Sequence, residues 1–330
     1  MTRIFIDGFE NGDCGLWDPT SVATIASTSV EGFKGTYSAY LNSSDKNLIK
    51  TLSSSYAELY FAFKVYGAGD GVDNNLLTLK DSAATIIASV SRNDTTGFLE
   101  LRTGNYAGSL LDTGTVSIAN GATHLIEVRY KPLNSGGVFT LKIDGVEDAT
   151  YTGDTTAGLE NVQAFILSDI TGNCNFNGYF DDVVVDDADW IGNTYIQAIV
   201  PTGAGTTTGW TPSTGANWSC VDEVPAVDTD YVSVNTADAI DTYATSNLTG
   251  TITSIKSVQV EARIAYEGTP TPTHIQLGIR SSDTDCFLTD KSPALSLGRV
   301  SRLMEVNPAT SLAFTESTVN STEIGIKATA

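Results

Sequence analysis

Residues Tyr179–Asp187 read YFDDVVVDD. Two adjacent aspartates inside an apolar run can act as an acid/base couple, as half of a cation site, or as strand residues with a structural duty. Retaining glycoside hydrolysis needs two carboxyls about 5–5.5 Å apart at one bond. A regular strand sends successive side chains to opposite faces. It would put Tyr179, Asp181, Val183 and Val185 on one face and Phe180, Asp182, Val184 and Asp186 on the other. That parity separates Asp181 from Asp182 and argues against an acid/base couple. No Glu-x-Asp-x-Glu or Glu-x-Asp-x-x-Glu triplet occurs, and Glu58, Glu127, Glu147 and Glu160 stand apart. The two histidines, His124 and His274, each fall inside a strand pattern without a nucleophile placed beside them. No catalytic residues are assigned, and the chain does not read as an enzyme.

The segment GAGDGVDNNLL offers Asp70, Asp73, Asn74 and Asn75 in a glycine-rich loop. Calcium takes six to eight hard oxygens from flexible loops, so Asp70, Asp73 and Asn74 are candidate calcium ligands. A solvated acidic turn is the competing reading, because no Glu closes a 12-residue calcium loop. Calcium is therefore the one candidate cofactor. Asp186, Asp187 and Asp189 form a second acidic group, expected to end a strand and blunt its edge. Trp210 and Trp218 flank a Gly- and Ser-rich stretch. They are candidates for glycan stacking or, as expected of tryptophans in a connector, for packing between domains.

The 330 residues hold 39 Asp and Glu against 18 Lys and Arg, a formal net charge of -21. Nucleic acid and anionic membranes are repelled by such a surface and are excluded as partners. Charged residues make up only 17% of the chain, against about 25% in ordinary domains. Hydroxyls, amides and glycines must therefore carry much of the surface, as in turn-rich β structure. Cys14, Cys174, Cys220 and Cys286 have no near partner in sequence. They read as buried thiols, with Cys14–Cys174 and Cys220–Cys286 as the pairings open to them. The start, MTRIFIDGFE, lacks the basic and apolar runs of a secretory leader, and no apolar stretch is long enough to span a bilayer.

Helical periodicity is nearly absent, and strand patterns recur. ELYFAFKVY, THLIEVRY, GGVFTLKIDG and VQAFILSDI precede YFDDVVVDD, and Asp144-Gly145 is a strong hairpin signal. Trp190 ends this set. Residues 191–214 hold a short expected strand, Tyr195–Val200, and then a Gly/Thr/Pro stretch that reads as a connector. Strands resume with SVQVEARIAYEG, THIQLGIR, PALSLGRVSRLMEV and the terminal TEIGIKA. The expected organisation is an all-β chain: a β-sandwich over 1–190, a connector over 191–214 and a second, smaller β-sandwich or jelly roll over 215–330.

Residues Phe5–Asp7 with Gly8-Phe9-Glu10, the strand Leu125–Tyr130, its hairpin to FTLKIDG and the closing GYFDDVVVDD resemble the concanavalin A-like, laminin G-like jelly roll. The resemblance implies that the last strand of 1–190 returns beside the first. IVPTGAGTTTGWTPSTGANWSCVDEVPAVDTDYVS, DAIDTYATSNL and EVNPATSLAFTESTVNSTEIGIKA resemble the C-terminal part of tailed-bacteriophage virion proteins. That second resemblance implies a structural protein of the virion, on the tail or capsid exterior and assembled in the host cytoplasm. Its partners would be major capsid or tail proteins and further copies of itself. It marks Trp210, Trp218, Asp222, Tyr231, Asp241, Tyr243, Pro308 and Gly325 as structural positions. In this reading 191–330 mediates attachment, with TEIGIKA available to a neighbouring subunit, and 1–190 projects. Recognition of a host surface glycan is the alternative.

Overall fold

The computed structural model describes residues 3–27, 30–41, 46–68, 73–118, 121–169, 176–268 and 272–330. The chain divides into two compact units, Met1–Ile196 and Gln197–Ala330.

The first unit contains β1 (Arg3–Asp7), β2 (Thr24–Ala26), β3 (Ser38–Leu41), β4 (Leu48–Tyr56), β5 (Leu59–Ala68), β6 (Asn74–Lys80) and β7 (Ile86–Arg92). It continues with β8 (Phe98–Thr103), β9 (Leu110–Ser117), β10 (Thr123–Lys131), β11 (Gly137–Ile143), β12 (Val146–Gly153), β13 (Val162–Asp169) and β14 (Asn177–Asp186). One sheet runs β12-β11-β10-β5-β14-β3-β2 with β1 added on β14, and a second runs β4-β13-β6-β7-β8-β9. The last strand does lie beside the first, antiparallel, with Arg3 opposite Asp186.

Period-2 patterning explains most of this sandwich. In β5, Leu59, Phe61, Phe63 and Val65 enter one apolar core with Ile126, Val128 and Tyr130 of β10 and Phe139, Leu141 and Ile143 of β11. Each large side chain so buried contributes roughly 1.5–3 kcal/mol. Asp144 and Gly145 both adopt positive φ (53° and 83°), which the tight β11–β12 turn requires.

The second unit contains β15 (Pro201–Thr208), β16 (Thr211–Pro212), β17 (Val232–Ser233), β18 (Ile240–Thr245), β19 (Val258–Ile264) and β20 (His274–Ser281). After these come β21 (Thr284–Phe287), β22 (Gly298–Met304), β23 (Val306–Asn307), β24 (Leu312–Ala313), the short helix α1 (Glu316–Asn320) and β25 (Glu323–Thr329). Its main sheet runs β15-β18-β25-β20-β21, and β19 pairs with β22 in a separate two-stranded sheet. Leu277, Ile279, Ile326, Ala328 and Val260 share a core with Trp210, Met304 and Phe314.

Three expectations are corrected here. The expected connector over 191–214 contains strand: β15 pairs with β18. Its composition hid it, because an edge strand of Gly, Ala and Thr carries no apolar alternation. Gly205 is needed there, since a Cβ would come within 2.5 Å of the Thr242 backbone. Tyr195–Val200 is not a strand. TEIGIKA is not a free edge, because β25 lies between β18 and β20 with both ladders filled. Cys220 and Cys286 are separate free thiols, and Cys14 is free as well. Cys174 lies outside the described residues.

Candidate functional site

The strongest concentration of buried chemistry is built on β14. Asp181 stands opposite Lys64 of β5, but Val184 stands opposite Ala62. Two residues, Asp182 and Val183, therefore face the single Phe63, which is a β-bulge. Asp182 takes φ of 52° to make it. The bulge resets the strand's parity. Phe180, Val183 and Val185 all enter the core, where strict alternation would have placed Phe180 opposite the two valines.

The same irregularity overturns the separation of the two aspartates. Asp181 and Asp182 are both buried, at 1% and 3% exposure. The Asp182 backbone N–H donates to Asp181 Oδ1 at 2.7 Å. Lys64, itself buried, places Nζ 2.9 Å from Asp182 Oδ2. The other oxygen, Asp182 Oδ1, accepts the Ile196 backbone N–H at 2.6 Å. Asp181 Oδ2 is buried without a hydrogen-bond partner. Glu10 completes the group electrostatically, acting on both aspartates. Its carboxylate accepts the Thr36 and Tyr37 backbone N–H groups.

Burial above all, then the neighbouring Asp182 charge, pushes the Asp181 carboxyl up to about 9, so it is neutral at neutral pH. Burial also raises Asp182, opposed by the charge and hydrogen bond of Lys64 and by the Ile196 amide. Glu10 is raised by burial against its two amide donors. The arrangement is thus a lysine–carboxylate pair beside a neutral carboxyl, closed off from water.

Backbone and side chains around it fix the segment that follows β14. Arg3 pairs with Asp186 at 2.6 Å. Asp186 Oδ1 caps Ala188 N and Asp189 N, and Glu127 accepts Gly192 N at 2.7 Å. Lys142 Nζ lies 3.7 Å from the centre of the Trp190 ring. Asp186 therefore does not blunt an edge. It is fully buried, on a strand flanked on both sides.

The calcium candidates do not assemble in the described residues. Asp70 lies outside them. Asp73 accepts Asp94 N at 2.8 Å. Asn74 and Asn75 are not rim-loop residues but the buried start of β6. No group of three or more His, Cys, Asp or Glu that could hold a metal ion occurs among the described residues.

In the second unit, Trp210 is buried in that unit's own core rather than in a connector. Its N–H donates to Asp241 Oδ1 and its Nε1 to the Ala239 carbonyl. Asp241 Oδ2 accepts Asn217 Nδ2 at 2.6 Å and the Tyr243 hydroxyl at 2.7 Å. This fully buried carboxylate staples the Trp210–Cys220 loop to β18. Trp218 sits half-buried in a 3-10 turn. Tyr231 is exposed, and its backbone pairs with Ser213.

Sequence reasoning missed Glu10, Lys64 and Ile196. One signal was present: a lysine inside YFAFKVY, between Phe63 and Val65, is a charge headed for burial and needs a partner. The amide of Ile196 carries no signal in its residue type.

No family model matches the chain, and no curated protein matches it. Among solved structures it is similar to domain 4 of AbnA, a GH43 extracellular arabinanase from Geobacillus stearothermophilus, in complex with arabinotriose. That match has 18% identity over 56% of this chain and 91% of that one, with a TM-score of 0.39. An endo-β-1,4-glucuronan lyase from the fungus Trichoderma reesei gives 16% identity, 57% and 96% coverage and a TM-score of 0.39. The carbohydrate-binding module CBM66 from Bacillus subtilis gives 12%, 50% and 92%, and 0.33.

Proposed function

We propose that the protein is a structural component of a bacteriophage particle, exposed on the tail or capsid exterior. Attachment and self-association run through the second unit, and the acidic sandwich is carried as a rigid, non-catalytic module. The observation that carries this reading is the distribution of exposed apolar side chains. The second unit covers 134 residues (197–330). It holds eight of the fourteen large hydrophobics exposed among the described residues, including Leu288, Leu295, Leu297 and Leu312. Leu288, Leu295 and Leu297 fall within one stretch of ten residues, and a group of that kind is suited to being covered by a partner. The buried carboxylates of the first unit support the non-catalytic part, because they are engaged with Lys64, Arg3 and backbone amides. Major capsid or tail proteins and further copies of the chain are the expected partners.

The test is the position of the protein on purified particles by cryo-electron microscopy, paired with light scattering of the full chain. Replacing Leu288, Leu295 and Leu297 together by Asp should abolish particle binding and reduce any oligomer to monomer. Unchanged binding by a folded triple variant would remove the basis of the proposal.

A second reading, recognition of a host surface glycan, is favoured by one observation. Half-buried Trp218 and exposed Tyr231 lie on neighbouring loop segments joined by the Ser213 pairing. Trp218→Ala and Tyr231→Ala would each lower binding to a glycan array if that surface stacks on sugar rings.

A further inference from the structure

The geometry points to a covalent cross-link: we propose that Lys64 Nζ and Asp182 Cγ condense spontaneously into an intramolecular isopeptide bond tying β5 to β14.

Four placements carry it. The nucleophile Nζ lies 2.9 Å from Asp182 Oδ2, an oxygen bonded to the electrophilic Cγ. The β-bulge produces this, since Lys64 is in register with Asp181 but pairs with the next residue. The remaining oxygen, Oδ1, holds the Ile196 N–H at 2.6 Å. It is the oxygen that becomes the oxyanion of a tetrahedral intermediate and then the amide carbonyl, so a backbone donor is already aimed where charge develops. The neighbouring Asp181 carboxyl is neutral and buried, so it sets no second negative charge beside the pair. Finally, Lys64, Asp181 and Asp182 are all buried. Burial weakens the charged pair relative to neutral amine and acid and keeps out the water that would reverse the reaction. Fixed contact of this kind supplies a large effective concentration.

The ion pair already contains every atom of the product. One ammonium proton passes across the direct 2.9 Å contact to Asp182 Oδ2, leaving a neutral amine beside a neutral acid. The amine lone pair forms the Nζ–Cγ bond, and electrons move onto Oδ1. As they return, the Cγ–Oδ2 bond breaks. A second nitrogen proton passes to the same oxygen, and Oδ2 leaves as water. Nothing is oxidised or reduced, and no co-reactant enters.

The test is intact mass spectrometry of the full chain under denaturing conditions, followed by protease digestion. The expected mass is lower than the sequence mass by one water molecule. The digest should contain one branched peptide joining Lys64 to Asp182. Lys64→Arg, which preserves the charge opposite Asp182, should return the full sequence mass. Folded wild-type protein that keeps the full mass after prolonged incubation overturns the proposal. So does a missing water that maps elsewhere, such as to a cyclised Asp144-Gly145. The wild-type measurement stands even if the variant fails to fold.

Discussion

Lys64 lies across the β5–β14 ladder from Asp181, yet its ammonium contacts Asp182, one residue further along. A ladder without the bulge would not allow this. Removing the lysine leaves a buried carboxylate without its cation. Lys64→Met should therefore cost at least about 3 kcal/mol in the first unit, read from denaturant unfolding.

The raised carboxyls set a pH dependence. Asp181 binds its proton up to about 9 in the folded chain, against 3.8 for an ordinary aspartate, and Glu10 is shifted in the same direction. Between those limits the native state holds protons that the unfolded state has lost. The stabilisation is complete below the unfolded pKa and is lost as pH rises through the folded one. Melting temperature should therefore fall between pH 5 and pH 9, to an extent reduced in Asp181→Asn. A melting curve that rises over that interval would contradict the assignment.

Asp241 is the corresponding element of the second unit. Asp241→Ala removes the acceptor of Tyr243, Asn217 and Trp210 at once and leaves buried donors unpaired. The expected loss is about 3 kcal/mol, with new protease cleavage between Trp210 and Cys220.

Gly325 lies beside the same group. A Cβ there would sit 2.6 Å from the Asp241 carbonyl and 3.0 Å from the Phe287 ring. Gly325→Ala should destabilise the β18–β25 pairing by roughly 1–3 kcal/mol, measurable by hydrogen exchange at Thr242 and Tyr243.

Limited treatment with a broad-specificity protease should cut within 292–297 before it cuts anywhere in 201–215. Residues 292–297 have no strand and expose Leu295 at 77%, whereas 201–208 is paired in β15.

The strands of the first unit were legible because each half-buried strand writes its core face as every second residue. Ile126, Val128 and Tyr130 show this, as do Phe139, Leu141 and Ile143. β15 was not, because an edge strand of small residues takes its shape from close backbone approach rather than from burial. The site on β14 was half legible. Both aspartates stand out in the sequence, but the face each occupies depends on one inserted residue, and a bulge leaves no mark in composition. Its other half comes from Lys64 of β5, more than 100 residues away, from Glu10 just after β1, and from the Ile196 backbone 14 residues on. Trp210, Asp241, Tyr243 and Gly325 were singled out by resemblance alone, and the fold gathers all four around one carboxylate or its carbonyl.

The antiparallel pairing of β1 with β14 gives the first unit the geometry of a cassette. Its opening strand and its closing strand are hydrogen-bonded neighbours, so the chain arrives and departs at one place on the module. A host protein could accept such a module in a surface loop without opening a gap in its own backbone. By the same logic, joining Arg3 to Asp186 through a short linker and cutting the chain at a distant hairpin, such as Asp144-Gly145, would yield a permuted sandwich with the same two sheets.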